Sequence, residues 1–331
     1  MIDTKKIKIT QLLKREMEGF MSSRLILDIG GPGIDYSIVN GLRRVTIDEI
    51  PIYAYDSSTV DIEFNDSIYN NDMMELRLSN LPIFDIKNNI IFLSRKYYEK
   101  VDFTDPKRER HPDEKKIETY INVHNDTLTN MNITTDSIKM IIDGEEVKNP
   151  YKKTHPILLL KLRPNQAFKA RLRAVLGIGD INNVYAGAGN VYYKEEDNRF
   201  KFTIESQGQM DEYELLDKGC SILIKKLSDV YENVSKNFKG DETDKNVQLD
   251  LINEDYTIGN LIKDSLQDHK DVIFAGCSKP DKQIKEVIIK YTTGVKNKMI
   301  PFKEAIDSKI KVLEEIQSQI QKLGSKYINT Y

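Results

Sequence analysis

The sequence has little cysteine, no long apolar run and almost no excess of charge, and each shortage removes a class of explanation. Cys220 and Cys277 are its only cysteines. A disulfide framework is therefore excluded, and a reducing intracellular setting is the expectation. No apolar stretch approaches the roughly 18 residues needed to span a bilayer. Residues 1–20 mix Lys, Glu and Asp where a signal peptide would carry an apolar core. A formal net charge of -3 gives no electrostatic case for wrapping a nucleic-acid backbone. What remains, 331 residues with 31% charged and 39% hydrophobic side chains, describes a soluble globular chain. Its length suits two domains, or one domain with an insertion.

Catalytic signatures are just as scarce. Two-ion phosphoryl chemistry needs clustered aspartates, and the sequence has no Asp-x-Asp-x-Asp group to supply them. Gly177-x-Gly179 and Gly187-x-Gly189 match neither a dinucleotide fingerprint nor a P-loop, and no Gly-Lys-Ser/Thr follows them. The stretch Gly177 to Asn190 reads as a surface loop. His111, His124, His155 and His269 show no paired ligand spacing with each other or with the cysteines. No catalytic residue, metal site or cofactor is expected. The charge-dense run from Lys107 to Lys116 carries both signs and reads as a solvated loop.

The sequence does contain a distant repeat. Ser37-Ile38-Val39-Asn40-Gly41-Leu42-Arg43 returns as Thr257-Ile258-Gly259-Asn260-Leu261-Ile262-Lys263. Each copy reads hydroxyl, Ile, any residue, Asn, any residue, Leu or Ile, base. Such a separation is not the period of a solenoid. It implies two related units that can pack about a pseudo-twofold axis.

Around the first copy, Asp35 or Ser37 can cap a helix whose apolar positions are Ile38, Leu42 and Val45, and Pro51 ends it. Strand patterns occur at Lys5–Ile9 and Arg24–Ile29, then at Ile157–Leu162, Phe168–Val175 and Phe200–Ile204. A long helix is predicted from Asp211 to Phe238, with a seam of Leu216, Cys220, Leu223, Leu227 and Val230 at steps of three and four. After the polar stretch 239–246 come strands at Val247–Ile252, Val272–Phe274 and Glu286–Thr292, with the repeated helix at Thr257–Leu266. A closing helix follows, with Pro301 in its first turn. Its seam is Phe302, Ile306, Ile310, Leu313, Ile316, Ile320 and Leu323. Burying both seams is simplest if each long helix packs on the other unit. The fold class is therefore α+β, an intramolecular pseudo-dimer with packed long helices. The first unit covers 1–83 and 157–238, an inserted subdomain 84–156, a linker 239–246 and the second unit 247–331.

These residues resemble a known family, the assembly-platform subunits of multisubunit DNA-directed RNA polymerase. It includes the amino-terminal domain of the bacterial alpha subunit and the third- and eleventh-largest subunits of eukaryotic RNA polymerase II. Asn40-Gly41-Leu42-Arg43-Arg44, continuing to Glu49-Ile50-Pro51-Ile52-Tyr53-Ala54, is similar to the family's Asn-x-Leu-Arg-Arg helix and its Glu-Ile/Val-Pro-x-x-Ala extension. Arg77-Leu78-Ser79-Asn80-Leu81-Pro82-Ile83 and Phe202-Thr203-Ile204-Glu205-Ser206-Gln207-Gly208 resemble two further elements of the larger partner. Asp255-Tyr256-Thr257-Ile258-Gly259-Asn260-Leu261 looks like the small partner's Asp-His-Thr-Leu-Gly-Asn-Leu, with Tyr256 where His is usual. Residues 84–156 contain no cysteine, so the cluster-binding insert of many relatives is not carried over.

The resemblance implies a catalytically silent subunit that seeds assembly of the two largest polymerase subunits beside other small ones, touching DNA only through the complex and no membrane. A fusion of both partners is what a large DNA virus with its own polymerase would carry. The implied location is intracellular, in the host cytoplasm and packaged in the virion. The implied assembly interface is Asn40, Leu42, Arg43, Arg44, Glu49, Pro51, Gly259, Asn260, Leu261 and Lys263. The implied intramolecular seam is Leu216, Cys220, Leu223, Leu227, Ile306, Ile310, Leu313 and Ile320. The alternative reading is a stand-alone binding or regulatory module with the same fold.

Overall fold

Two copies of one small motif, each a strand, a short helix, two further strands and a long helix, organise the chain. A computed structural model describes residues 3–16, 23–84, 86, 88–99, 102, 105, 108, 110–151, 155–238, 244–281 and 284–328. In chain order the elements are β1 (Lys8–Glu16), β2 (Ser23–Gly30), α1 (Tyr36–Asp48), β3 (Ile52–Asn65), α2 (Asn71–Ser79), α3 (Arg95–Glu99) and β4 (Ile117–His124). Next come β5 (Met131–Thr134), β6 (Ile138–Ile142), β7 (Glu145–Val147), β8 (Leu158–Leu162), β9 (Ala167–Gly177), β10 (Ala188–Glu196), β11 (Arg199–Ser206) and α4 (Glu212–Asn237). The last elements are β12 (Asn246–Ile252), α5 (Tyr256–Gln267), β13 (Val272–Ser278), β14 (Glu286–Thr293) and α6 (Met299–Ile328).

The two copies share topology and register. The first sheet runs β1-β2-β11-β10 and the second β12-β14-β13. Arg199 faces Gly30 in one, and Glu286 faces Ile252 in the other. A bulge falls early in the second strand of each copy, between Ala188 and Asn190 and between Val272 and Phe274. A bulge sharpens the local twist, so its repetition bends both sheets alike around the helices.

The long helices α4 and α6 run antiparallel. Gly324 closes on the Tyr213 side chain, Gln317 Nε2 donates to Asp217 Oδ1 at 2.9 Å, and the Tyr231 and Phe302 rings stack at 6.3 Å. Leu216, Cys220, Leu223, Leu227, Ile306, Leu313 and Ile320 are buried in one core shared by both units, and Ile310 is partly buried against it. Burial pushes the Cys220 thiol far above its ordinary range, so it acts as a small apolar group.

The first copy is interrupted by more than the expected 84–156. A second core runs from Tyr53 to Ile178 around the sheet β3-β9-β4-β6-β7 and the pair β5-β8. β3 and β9, expected in the first unit, pair with each other, and β4 adds to β9. The reason lies in their faces. β9 buries Phe168, Ala170 and Leu172 at alternate positions, and these belong to the second core. Three local expectations also change. Lys5 lies in a 3-10 turn (Thr4–Lys6) before β1. Leu158 is exposed on β8, which among the described residues pairs with β5 alone. The strand β10 begins inside the glycine-rich stretch, at Ala188. Linker residues 239–243 lie outside the described residues, and β12 starts at Asn246.

A candidate assembly surface where the repeats meet

Both repeated helices start with an aspartate at the N-cap position. Asp35 accepts from the Ile38 backbone N–H at 3.0 Å, and Asp255 accepts from the Tyr256 N–H at 2.6 Å. A capping carboxylate satisfies an orphan donor and complements the positive end of the helix dipole. The repeat thus extends beyond its hydroxyl start to the pairs Asp35/Asp255 and Tyr36/Tyr256.

α1 and α5 cross at equivalent positions. A methyl group placed on Gly41 would lie 3.4 Å from the Leu261 side chain and 3.8 Å from Leu223 and from Thr257. Gly41 and Leu261 occupy the same place in the two copies, which is what an isologous contact requires. Gly259 is held more tightly still, since its missing Cβ would fall 2.7 Å from Cys277 Sγ and 2.8 Å from the Val287 side chain. Gly259→Ala is expected to destabilise the chain by roughly 1–3 kcal/mol through overpacking, read as a lower denaturation midpoint at unchanged m-value.

Above the crossing lies a cleft of about 250 Å³ lined by Tyr36, Ser37, Asn40, Arg44, Asp255, Tyr256, Thr257 and Asn260. Tyr36 and Tyr256 are 49% and 44% exposed at its rims. Arg43 Nε donates to Asn40 Oδ1 at 3.0 Å. The Arg44 guanidinium spans the copies, 4.0 Å from Asp48 and 3.6 Å from Asp255. Lys263 pairs with Asp264, which holds its ammonium above the ordinary range. Burial, reinforced by Asp264, raises the Tyr36 hydroxyl.

The comparisons with known proteins agree with this geometry. Residues 32–227 match the RNA polymerase Rpb3/Rpb11 dimerisation domain, and residues 246–319 match a family of the same description. The chain belongs to the RNA polymerase Rpb3/Rpb11 dimerisation domain family. It is also 26% identical over 332 residues to a protein of Acanthamoeba polyphaga mimivirus named "Putative DNA directed RNA polymerase subunit R470". That alignment covers 92% of this chain and 93% of the mimivirus protein.

As an Rpb3/Rpb11-type pseudo-dimer, the chain sorts the ten expected interface residues into three groups. Asn40, Arg43, Arg44, Asn260 and Lys263 stand on the outer side of α1 and α5, half-buried or exposed. Leu42, Pro51, Gly259 and Leu261 are buried within the chain, Leu261 toward Gly41 of the first copy and Gly259 against Cys277 and Val287 of its own, so they belong to the core and not to an exposed docking face. Glu49 is engaged internally. Lys226 on α4 sits 2.8 Å from Glu49 and 3.1 Å from Glu254, joining the end of α1 to the approach of α5. Nothing in the spacing of Lys226 marks this role, since it looks like any base on a helix flank. Glu254 Oε2 is buried at ion-pair distance yet without hydrogen-bond alignment. Burial pushes the Glu254 carboxyl up to about 7, with Lys226 opposing and Glu49 adding to the rise.

The glycine-rich stretch is packed rather than open. Gly179 has no room for a side chain against the Ile47 carbonyl, and Asp180 N–H donates to Asp48 O at 2.8 Å. Asp180 in turn takes Arg95 from the second-core region and Lys285 from the second copy. Those two cations hold its carboxyl below the usual range despite partial burial. The turn therefore pins the end of α1 instead of cradling a ligand.

Proposed function

We propose that this chain is a non-catalytic subunit of a DNA-directed RNA polymerase and presents the α1–α5 face to the two largest subunits. The observation that carries this reading is the fusion of two Rpb3/Rpb11-type units in one chain, with Asn40 and Arg44 lining one cleft with Asn260. The mimivirus relative supports a role in viral transcription; in this reading the chain works in the cytoplasm of the infected cell and is packaged in the virion. In this reading residues 1–83 and 157–238 act as the larger-partner half around the region 84–156, and 247–331 as the small-partner half after the linker 239–246. Joining the halves makes their pairing intramolecular, so it no longer depends on finding a separate chain. Arginine suits the docking face because its planar fork holds carboxylates bidentately.

Arg43→Glu with Arg44→Glu tests the assignment. The pairs lost from Arg44 are surface pairs, worth roughly 0–1 kcal/mol, so the variant is expected to fold with a near-native melting point. Its co-purification with subunits above about 100 kDa, a mass far larger than this chain's, is expected to be lost. Unchanged assembly of the folded variant would remove the docking assignment. A wild-type chain that never carries large partners would favour a stand-alone binding module.

A further inference from the structure

The pseudo-symmetry of the two sheets is incomplete in one place. In the first copy, β2 is central: Gly30 faces Arg199 of β11 on one side and Lys8 of β1 on the other. In the second copy, Ile252 faces Glu286 of β14 on one side, and among the described residues no strand pairs with the other side. The strand equivalent to β1 is missing. Its place is marked by a groove of about 790 Å³ between β12 and the last turns of α4, whose apolar floor includes Val230, Val234, Phe238, Val247 and Leu249.

The register says which backbone groups face that groove. Thr293 N–H donates to Lys245 O at 2.9 Å and Asn253 N–H to Lys285 O at 2.8 Å, so the odd-numbered residues of β12 bond to β14. Gln248, Asp250 and Ile252 therefore turn their N–H and C=O groups outward. Open edges are normally blunted by a bulge, a proline or a lysine. β12 has an uninterrupted register and neither residue type, whereas the opposite edge strand β13 is bulged. Ile252, 71% exposed, adds an apolar shoulder at one end. Asp244 and Asp250 make the rim acidic, and among the described residues the one cation in the lining, Lys298, is buried.

The first copy shows how such an edge is filled. β1 is an extended segment carrying Lys8, Lys14 and Arg15, and its backbone is clasped from the neighbouring long helix. Ile9 N–H donates to Gln319 Oε1 at 2.9 Å, and Gln319 Nε2 donates to Ile7 O at 2.8 Å. On the second side α4 brings the exposed side chain of Asn233 to the groove.

We propose that the outer edge of β12 receives an extended, basic segment of a partner polypeptide, which adds as an antiparallel strand in the position that β1 occupies on β2. Backbone hydrogen bonds supply affinity in such β-augmentation, and alternate side chains entering the groove supply selectivity. The inference does not depend on which subunit docks at the α1–α5 cleft.

Residue-resolved hydrogen exchange on the full-length chain alone and in its purified native assembly tests it. The amides of Val247, Leu249 and Leu251 are expected to be protected in both. Those of Gln248, Asp250 and Ile252 are expected to exchange fast in the lone chain and at least about tenfold slower in the assembly. Gln248→Pro removes one outward donor without touching the ladder to β14. It is expected to restore fast exchange at Asp250 and Ile252 while leaving the melting point unchanged. Fast outward amides in both samples, protection already present in the lone chain, or protection that survives Gln248→Pro each overturn the proposal. The first of these outcomes leaves the docking reading intact, whereas a chain recovered from its cells with no partner at all overturns both.

Discussion

Lys226→Met is expected to lower the stability of the chain by roughly 3–5 kcal/mol at pH 8, and by far less at pH 5. The lysine is the shared cation of Glu49 and Glu254, with side-chain exposures of 12% for Lys226, 23% for Glu49 and 12% for Glu254. Removing it strands two carboxylates in a poorly hydrated site, and breaking a buried pair from one side carries that order of penalty. The pH dependence follows from Glu254. Its folded value of about 7 lies above the ordinary 4.5, so the folded chain holds a proton that the unfolded chain has released between those values. A raised folded value contributes stability that is fully present below about pH 4.5 and lost as pH rises through about 7. Titration across that interval amounts to about 3 kcal/mol. The wild-type chain should therefore lose stability between pH 5 and 8, and Glu254→Gln should flatten the profile. Denaturant midpoints at pH 5, 6, 7 and 8 for the three proteins measure this. A wild-type profile as flat as that of Glu254→Gln would refute the coupling.

Leu223→Ala carries the second large effect, about 2–5 kcal/mol, or a fall of roughly 5–10 °C in melting point. Leu223 is fully buried where α4 passes under the α1–α5 crossing, 3.8 Å from the place a Gly41 methyl group would take. The cavity would open among three helices from both copies. Each is held by caps and further contacts of its own, so collapse into the space is restricted and the cost sits toward the upper end. Thermal unfolding by circular dichroism reads it directly. A loss below 1 kcal/mol would mean that the helices close over the gap and that the seam is softer than its packing implies.

The helices were legible in the sequence because their signals are local. Asp35 and Asp211 mark two starts, and steps of three and four mark the buried faces of α4 and α6. The repeat was legible as well, at its polar and its apolar positions, but which of these face inward was not. Leu261 carries the same motif letter whether it faces a partner or the other half of its own chain, and the crossing at Gly41 turns it inward, while Gly259 packs on Cys277 and Val287 of its own copy. The extent of the interruption was not legible. β3 and β9 are apolar strands next to the first copy in sequence, and only their pairing with each other and with β4 assigns them to the second core. Lys226 and Asp180 join segments far apart in sequence, and no spacing rule announces a bridge of that kind. The missing strand beside β12 becomes visible only when the registers of the two sheets are compared.

The clasp between Gln319 and the backbone at Ile7 and Ile9 links residues separated by 310 positions, and the ion pair of Lys309 with Asp35 spans 274. During synthesis at about 5–20 residues per second, the side chain that secures β1 emerges roughly 15–60 s after the strand it secures. The amino-terminal half must wait on the ribosome with the apolar seam of α4 uncovered until α6 arrives. Such long loops are slow to close. The nascent chain is therefore a natural client for a holdase chaperone, and slowing translation late in the message would lengthen the exposure.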